Sequence, residues 1–377
     1  MKAIWLCSWY PNLGDNYRGD FIQRHAIAVS ALVKVDIIHV VFTNQKLNDK
    51  VNSVNNQLTE HIFYRPQKSK WENLIELFTI HQTFIKQYIK QFSTPDIIHV
   101  HIPLMSGLVA LYWKWKYNYK FILTEHYGIY NIQVEDNFLK RNFLFKYFTK
   151  KIIKASSSLL PVSTRLGQDI NNMVIEKPFT AIANVVNTEL FCFENSPKQN
   201  IFQFVHISDM SQNKNVQGIM DAVFLLKQKR SDFTFLFIGK RNVDIINYAT
   251  AKNILCHCHF VGEIAYNKVA ELVKQSHAGI LFSFSESQSC VVLECLCAGL
   301  PIISSKAGGV EELIHEENGI LVEVNDSNAL AMAMETLMDN YKKFDNLKIS
   351  NESIQKYSYD AVAKQILNIY KQNLINK

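Results

Sequence analysis

Short apolar runs alternate with helix-length segments along nearly the whole of this 377-residue chain. Such alternation is typical of a parallel β-sheet with helices packed on both of its faces. The pattern occurs twice, and residues 194–200, a polar stretch that contains a proline, separate the two halves. We therefore predict an α/β fold of two doubly wound domains, with residues 1–194 in the first and 195–356 in the second.

Ligands of doubly wound domains bind at the carboxyl ends of the strands, so functional residues are expected in the loops that follow the strands. Helices are predicted over 21–33, 71–91 and 104–115. The predicted strands are 35–42, 96–101, 121–124, 159–162 and 179–182 in the first half, and 202–207, 233–239, 254–262, 278–284, 301–304 and 320–322 in the second.

Composition narrows the class of protein. With 48% hydrophobic and 20% charged residues, the chain can fill full-sized cores, which excludes a disordered protein. Seven cysteines, an odd number, favour a reducing compartment over a disulfide framework. The Cys-His-Cys-His run at 256–259 has no second cluster at zinc spacing, so no metal site is expected. No apolar run reaches the ~18 residues of a membrane-spanning helix, and the N-terminal run is too short for a signal peptide. A cytoplasmic protein, soluble or peripheral to a membrane, is expected.

Positive charge is concentrated in the first half. Residues 1–180 carry 22 Lys and Arg against 13 Asp and Glu, whereas the remainder carries 18 against 21. The run from Phe138 to Lys154, interpreted as one helix, has six positive charges, four phenylalanines and no acidic residue. Both an ordinary surface helix and an interfacial helix on an anionic membrane leaflet would show this pattern. No recognition motif for nucleic acid accompanies the charge, so nucleic-acid binding is not expected.

Gly19 lies in the loop that follows the first predicted strand, just ahead of a predicted helix. A glycine there would let a phosphate approach backbone N–H groups closely. A plain turn with Asp20 as helix N-cap explains the loop equally well. The loop lacks the G-x-G-x-x-G pattern, which argues against a nicotinamide-dependent enzyme.

The most informative segment runs from Ser283 to Ile314. Glu286 follows a buried strand, and Ser289 is placed to cap the next helix, whose first amides would form an anion site for a diphosphate. Glu294 would lie about two turns into that helix and point back toward Glu286, where its carboxylate can accept two hydrogen bonds from a ribose diol. Most glutamate pairs at such spacing are solvated helix charges, but Glu294 falls in an apolar helix and therefore needs a partner.

This segment closely resembles the donor-site signature of glycosyltransferase family 4, whose members have two Rossmann-like domains facing a cleft, the GT-B fold. The matching residues are Glu286 and Glu294, the A-G-x-P turn at 298–301 and the Gly308-Gly309 loop, which precedes a helix-like stretch at 310–314. Further resemblance lies in segments 99–101, 124–128, 159–163 and 182–191, so essentially the whole chain is covered. The last helix, 357–374, would then return to the first domain, which would hold the acceptor, and the second domain would bind the nucleotide sugar.

The resemblance implies retaining transfer of a sugar from a nucleotide diphosphate sugar, without an obligatory metal or any cofactor. Glu294 would hold the ribose, Glu286 the donor sugar, and Lys214 would neutralise the diphosphate that Gly19 approaches. His126 would lie beside the donor sugar, although a histidine at a strand end is often merely hydrogen-bonded there. The other implied donor contacts are Asn184, Ser208, Gly239, Ser289, Cys290 and Val291.

One position departs from the family pattern. Aligning on Lys214 puts Asp209 where the family often has an arginine on the diphosphate. An acid cannot pair with phosphate, so Lys214 acts alone or with Lys240 or Arg241. Three other functions stay open. A sugar-nucleotide epimerase shares the plan, a glycoside phosphorylase would need a pyridoxal-phosphate lysine that no motif nominates, and a non-catalytic sugar-nucleotide-binding scaffold has Asp209 as its only support. The acceptor is expected to be a glycan or a lipid-linked molecule.

Overall fold

The computed structural model describes residues 1–195 and 201–375, which form two compact units. The first unit comprises Met1–Val185 and the chain from Tyr359 onward, and the second comprises Val186–Ser358. The α/β class with two doubly wound sheets is confirmed. Among the described residues, no helix combines the length and the apolar character that crossing a membrane requires.

The sheet of the first unit has seven strands in the order β3-β4-β2-β1-β5-β6-β7. All neighbours pair in parallel except β3 and β4, which form an antiparallel hairpin at one edge. In the centre Trp5 is opposite Ile37 on one side and His99 on the other. The strands are β1 Lys2–Cys7, β2 Lys34–Thr43, β3 Lys50–Asn55, β4 Leu58–Pro66, β5 Ile97–His101, β6 Phe121–Glu125 and β7 Ser158–Pro161.

Helices cover the sheet of the first unit because its central strands are apolar on both sides; β1, β5 and β6 are buried along almost their whole length. The last helix packs its buried residues Val362, Ile366 and Tyr370 into this core, which confirms the predicted return of the chain to the first domain. The helices are α1 Asp20–Ser30, α2 Lys70–Phe92, α3 Met105–Tyr117, α4 Phe143–Ala155, α5 Thr164–Met173 and, at the end of the chain, α12 Tyr359–Ile375.

The second unit has a wholly parallel six-stranded sheet in the order β10-β9-β8-β11-β12-β13. Its core contains stacked phenylalanines from β8 and β9, among them Phe204 and Phe235. The strands are β8 Phe202–Ser208, β9 Phe233–Gly239, β10 Cys258–Gly262, β11 Ala278–Leu281, β12 Ile302–Ser305 and β13 Gly319–Val322. The helices are α6 Val216–Lys227, α7 Val243–Ala251, α8 Tyr266–Gln275, α9 Cys290–Cys297, α10 Ser327–Asp339 and α11 Asn346–Tyr357.

The division between the units follows Val185 rather than Glu194. Val186 donates its N–H to Tyr357 O and pairs with Ser358, and Phe191 is buried in the core of the second unit. These contacts attach residues 186–191 to the second unit. The predicted linker extends to residue 200, and its residues 196–200 lie outside the described residues.

Three predicted elements differ in the structure. The run from Phe138 to Lys154 is not one helix: a 3₁₀ turn covers Phe138–Lys140, and α4 starts after Asn142, whose side chain accepts a hydrogen bond from Phe145 N. Segment 179–182 contributes a single bridge, Leu159 to Phe179, instead of a strand. Residues 310–313 form a turn, so no helix follows Gly308-Gly309.

Candidate functional site

The first group of predicted residues lies at the carboxyl ends of the adjacent strands β8 and β11 in the second unit. A 3₁₀ turn, Gln212–Lys214, follows β8, and the loop 282–289 follows β11. Lys214 Nζ lies 2.5 Å from Glu286 Oε1, and Ser283 Oγ donates to the same oxygen at 2.7 Å. The structure therefore brings two predicted residues into direct contact, and Ser283 is an additional partner for Glu286.

Backbone and amide contacts hold this pair on both sides. Asn213 Nδ2 donates to Ser285 O at 2.9 Å, and Phe284 N–H donates to Asn213 O at 2.8 Å. On the other side Glu286 N–H donates to Ala307 O, and Gly309 N–H donates to Glu286 O at 3.0 Å. Glu286 is thus positioned by both neighbouring loops, and its carboxylate direction is set before any ligand binds.

Two nearby titratable groups have shifted pKa values. Burial lowers the pKa of Lys214, but the Glu286 carboxylate outweighs burial, so the net shift is upward and Lys214 stays an ammonium. Burial lowers the pKa of His206 to about 4. The neutral His206 ring donates through Nδ1 to Ile280 O and accepts at Nε2 from the hydroxyl of Ser208, 2.8 Å away. Of these two groups, Lys214 therefore carries a positive charge and His206 does not.

Helix α9 begins as predicted, because Ser289 is its N-cap and accepts from Val292 N at 3.3 Å. Cys290 and Val291 open the helix, and Cys290 is close enough to Lys214 to raise its pKa slightly. The geometry predicted for the two glutamates needs correction. Glu286 precedes the helix in the loop, and Glu294 is in its second turn, so a count of two turns along one helix does not relate them.

Glu294 is 3% exposed, and its carboxylate accepts a hydrogen bond from Tyr266 Oη at 2.6 Å. Tyr266 is the first residue of α8. A buried carboxylate needs a hydrogen-bond partner, and the sequence pattern does not predict that Tyr266 is this partner. The two residues are 28 positions apart, and no local pattern connects them.

Two of the predicted site residues, Gly239 and Gly19, lie where the backbone passes close to another segment of the chain, and for Gly239 that segment includes the predicted Ser208. Gly239 has φ of +138°, and a Cβ there would lie 1.7 Å from Ser208 O. Gly19 has φ of +75°, and a Cβ there would lie 2.8 Å from Trp9 C. Gly19 is itself the N-cap of α1, so Asp20 is not the cap; it is the first helical residue and pairs with Arg24. Both glycines are required by close backbone approach, whether or not a ligand binds.

The second group of predicted residues gathers around α1 in the first unit. The ring of His126 lies 4.7 Å from that of Phe21 and 5.6 Å from that of His25. Burial lowers the pKa of His126, and the nearby Asn184 side chain opposes this shift. His126 Nε2 lies 3.3 Å from Nδ1 of His101. His126, Asn184 and the helix that starts at Gly19 are therefore neighbours.

Glu125, next to His126, is fully buried and was not singled out from the sequence. Its Oε1 accepts from the N–H groups of His126 and Tyr127, and its Oε2 accepts from Tyr130 Oη at 2.8 Å. Burial raises its pKa to about 7, against the lowering effect of these hydrogen bonds. These hydrogen bonds from the backbone N–H groups to Glu125 hold the backbone at His126 in place.

Asp209 is exposed and accepts a hydrogen bond from Ser211 N at 3.0 Å. Lys240 and Arg241 are exposed and directly follow Gly239, whose strand is paired with the one that ends before Asp209. These two cations are therefore on the same edge of the sheet as Lys214. Their contribution to diphosphate binding stays a prediction.

Two family models together match most of the chain. Residues 188–356 match Glycosyl transferases group 1, and residues 29–190 match Glycosyltransferase Family 4. An uncharacterized glycosyltransferase of Methanocaldococcus jannaschii is 26% identical over 99% of this chain and 98% of its own length. A putative teichuronic acid biosynthesis glycosyltransferase of Bacillus subtilis is 23% identical over 89% of this chain and 88% of its own.

Two solved structures show the same fold. Sucrose-phosphate synthase of Thermosynechococcus elongatus has a TM-score of 0.81 at 19% identity, with both chains covered completely. The Anabaena protein HepE, solved in complex with UDP, has a TM-score of 0.78 at 15% identity, covering 99% of this chain and 100% of its own. The two parallel-sheet units thus have the GT-B fold. The chain is a member of glycosyltransferase family 4, and its second half is a group 1 glycosyl transferase domain.

Proposed function

We propose that this protein is a retaining, metal-independent glycosyltransferase. It would move a sugar from a nucleotide diphosphate sugar to a glycan or lipid-linked acceptor, in cell-surface polysaccharide or glycolipid biosynthesis on the cytoplasmic side of the membrane. The relative from Bacillus subtilis, named for teichuronic acid biosynthesis, supports this setting.

The contact between Lys214 and Glu286 carries the proposal. Without a ligand, the ammonium is neutralised by a carboxylate that Ser283 also binds. A diphosphate, which carries more charge and more acceptor oxygens, can replace this carboxylate as the partner of Lys214. Glu286 would then accept hydrogen bonds from the sugar hydroxyls. Lys214 would thereby contact the diphosphate and Glu286 the sugar, which are the two groups joined by the bond that breaks.

The neighbouring helix and the buried glutamate complete a donor site of this kind. The first amides of α9, at Cys290 and Val291, precede the intrahelical hydrogen-bond pattern and favour an anion. Glu294 has one carboxylate oxygen bound by Tyr266, which orients the group for a ribose diol. The related fold of HepE was solved with UDP, and this supports a nucleoside diphosphate as the ligand here.

The reaction itself needs little covalent work from the protein. The bond between the anomeric carbon and the diphosphate oxygen breaks, positive charge develops on the sugar ring, and negative charge develops on the leaving group. Lys214 stabilises the leaving diphosphate. The acceptor oxygen attacks the same face of the sugar, and its proton passes to a diphosphate oxygen. Glu286, held by Ser283 and released from Lys214 by the diphosphate, accepts hydrogen bonds from the sugar hydroxyls and acts in positioning, not as a nucleophile.

Binding of UDP-, GDP- and ADP-sugars in a thermal-shift screen tests the proposal, because a bound ligand stabilises the native state by mass action. We expect one nucleotide class to raise the melting temperature and the same donor to be hydrolysed or transferred. Binding without turnover would favour the scaffold. No binding to any of the three classes would contradict the proposal.

Membrane association is the second part of the proposal. Helix α4 exposes Phe143, Leu144, Tyr147 and Phe148 to solvent, next to exposed lysines that include Lys150 and Lys151. Apolar side chains beside lysines are the composition that interfacial helices use on anionic leaflets. We therefore propose that α4 binds the inner face of the membrane.

A further inference from the structure

Two adjoining cavities of the first unit share the residues Lys70, Leu104 and Met105. One cavity, of about 430 Å³, lies where β1 and β2 end and where α2 and α3 begin. The other, of about 590 Å³, lies between α2, α3 and α4. Because they share lining residues, a single elongated molecule can occupy both.

The side chains that line the smaller cavity suit an anion that also carries a hydrogen-bond donor. Arg18 and Lys70 line it, and no carboxylate of the described residues lies within ion-pair distance of either. His39, 5% exposed, donates through Nδ1 to Cys7 O at 2.9 Å. Its Nε2 is then an acceptor, and within residues 1–195 and 201–375 it has no hydrogen-bond partner. The helix α3 also starts here, at Leu104, with no side-chain cap.

The larger cavity is an apolar groove. Its walls are Trp71 and Leu74 of α2, Leu108 of α3, and Phe145 and Phe148 of α4. Trp71 is 73% exposed, so a large apolar surface is in contact with water at its rim. Among the residues that line the groove, Lys70 is the one charged side chain, and it stands at the junction with the smaller cavity. The combined site is therefore positively charged in the smaller cavity and largely apolar in the groove.

We infer that the two cavities form one site for an amphiphile, with a phosphate head between Arg18 and Lys70 and a hydrocarbon chain in the groove. The occupant is a lipid phosphate and not free phosphate, because beyond Lys70 the groove is lined by uncharged and mostly apolar side chains, with Asn142 and Thr149 as its polar residues. Each of the two cavities falls within the roughly 300 to 1,000 Å³ that is ordinary for sites of small organic ligands. This inference rests on the proposed function, because it names the chemical class of the acceptor.

The test uses farnesyl phosphate as the probe, at concentrations where it is monomeric, and measures binding to the full-length protein by calorimetry. Inorganic phosphate and farnesol serve as the head alone and the chain alone. We expect farnesyl phosphate to bind at least about tenfold more tightly than either part. Lys70→Gln should weaken the binding of farnesyl phosphate about tenfold, because it removes one charge-assisted hydrogen bond. The double variant Met105→Gln and Phe148→Gln should weaken binding by a similar factor, because it makes the groove less apolar.

Lys90→Gln and Trp115→Gln are the matched controls, since both residues are exposed in the same unit and line neither cavity. We expect both to bind the probe as the wild type does. Equal binding of inorganic phosphate or of farnesol would overturn the inference, as would equal losses in the controls. If the wild type binds a nucleotide sugar but not farnesyl phosphate, the inference is wrong and the proposed function stands. If no nucleotide sugar binds, the proposed function is wrong whatever the probe does.

Discussion

Lys214 Nζ lies 2.5 Å from Oε1 of Glu286, although the two residues belong to loops 72 positions apart in the chain. Both side chains are largely buried, so each would be left as an uncompensated charge without the other. The contact joins the residue expected at the diphosphate to the residue expected at the sugar. A donor bound as proposed would compete with Glu286 for Lys214, and the consequences can be measured.

Lys214→Ala is expected to weaken UDP binding by ~1.5–3 kcal/mol, because it removes a charge-assisted hydrogen bond to the diphosphate. Uridine, which lacks the diphosphate, should bind both proteins equally in calorimetry. Glu286→Gln should leave UDP affinity equal or higher, since the competitor for Lys214 is gone, while transfer falls. Lys229→Ala removes a comparable but exposed ion pair with Glu335, and it should change the affinity for neither UDP nor uridine. An equal loss for uridine and UDP in Lys214→Ala would refute the diphosphate role.

Glu294→Ala is expected to lower UDP affinity by ~1–3 kcal/mol, because a buried carboxylate that binds the ribose is removed. UDP with a 2′,3′-dideoxyribose should bind the wild type and the variant with the same affinity, since it lacks the diol. Tyr266→Phe should show a smaller loss in the same direction, because Tyr266 only orients the carboxylate. Unchanged UDP affinity in Glu294→Ala would disprove the ribose assignment.

The stability of the first unit should respond to the titration of Glu125. Its pKa is raised from 4.5 to about 7 in the folded state, so the folded protein keeps a proton that the unfolded chain has lost between these values. The contribution of Glu125 to the free energy of unfolding therefore falls by up to ~3 kcal/mol as pH rises from 4.5 to 7. Glu125→Gln should lack this decline.

The five tryptophans all lie in the first unit, so denaturation followed by tryptophan fluorescence at pH 5 and pH 8 measures this effect. The buried histidines with lowered pKa, such as His39, act in the opposite direction, because the unfolded chain takes up protons first as pH falls below 6.5. The comparison with Glu125→Gln removes their contribution. Glu135→Gln, an exposed carboxylate, is the control and should behave as the wild type. Identical pH profiles for the wild type and Glu125→Gln would exclude the effect.

Tyr370→Phe should destabilise the first unit by ~1–3 kcal/mol. Tyr370 Oη accepts from Trp5 Nε1 at 3.0 Å and donates to His99 Nδ1 at 2.7 Å, and both partners are buried. Removing one hydroxyl thus leaves a donor and an acceptor unsatisfied. Tyr147→Phe, at an exposed hydroxyl, should have no effect on denaturation. A Tyr370→Phe protein as stable as the wild type would show that the hydroxyl contributes nothing to the attachment of α12.

Replacing Lys146, Lys150 and Lys151 with Gln should reduce binding to anionic vesicles without unfolding the protein. Each cation near the surface contributes ~1 kcal/mol, and salt screens the interaction. Co-sedimentation of the wild type should therefore require anionic lipid and decline as salt rises. As a control, replacing Lys342, Lys343 and Lys356 with Gln removes the same charge from the second unit and should change vesicle binding little. Failure of the wild type to bind anionic vesicles at low salt would make α4 an ordinary surface helix.

Local patterns in the sequence determined most of the fold. Parallel strands buried on both faces appear as continuous apolar runs, so the strand cores of both sheets could be predicted. The hairpin β3–β4 was missed because β3, Lys50–Asn55, is polar and mostly exposed at the sheet edge. The single helix predicted from Phe138 was wrong because periodicity does not detect that Asn142 caps a new helix.

The residue types of the candidate site and the cap at Ser289 can also be predicted from local patterns, since capping depends on neighbours within one turn. Which residues are partners depends instead on how the chain folds. Tyr266 binds Glu294, and Ser283 and Lys214 bind Glu286, because strand order brings distant loops to one edge of the sheet. The cavity pair around Lys70 likewise exists only where α2 and α3 pack beside the ends of β1 and β2 and beside α4. Such contacts depend on three-dimensional packing between segments far apart in the chain, which no local spacing records.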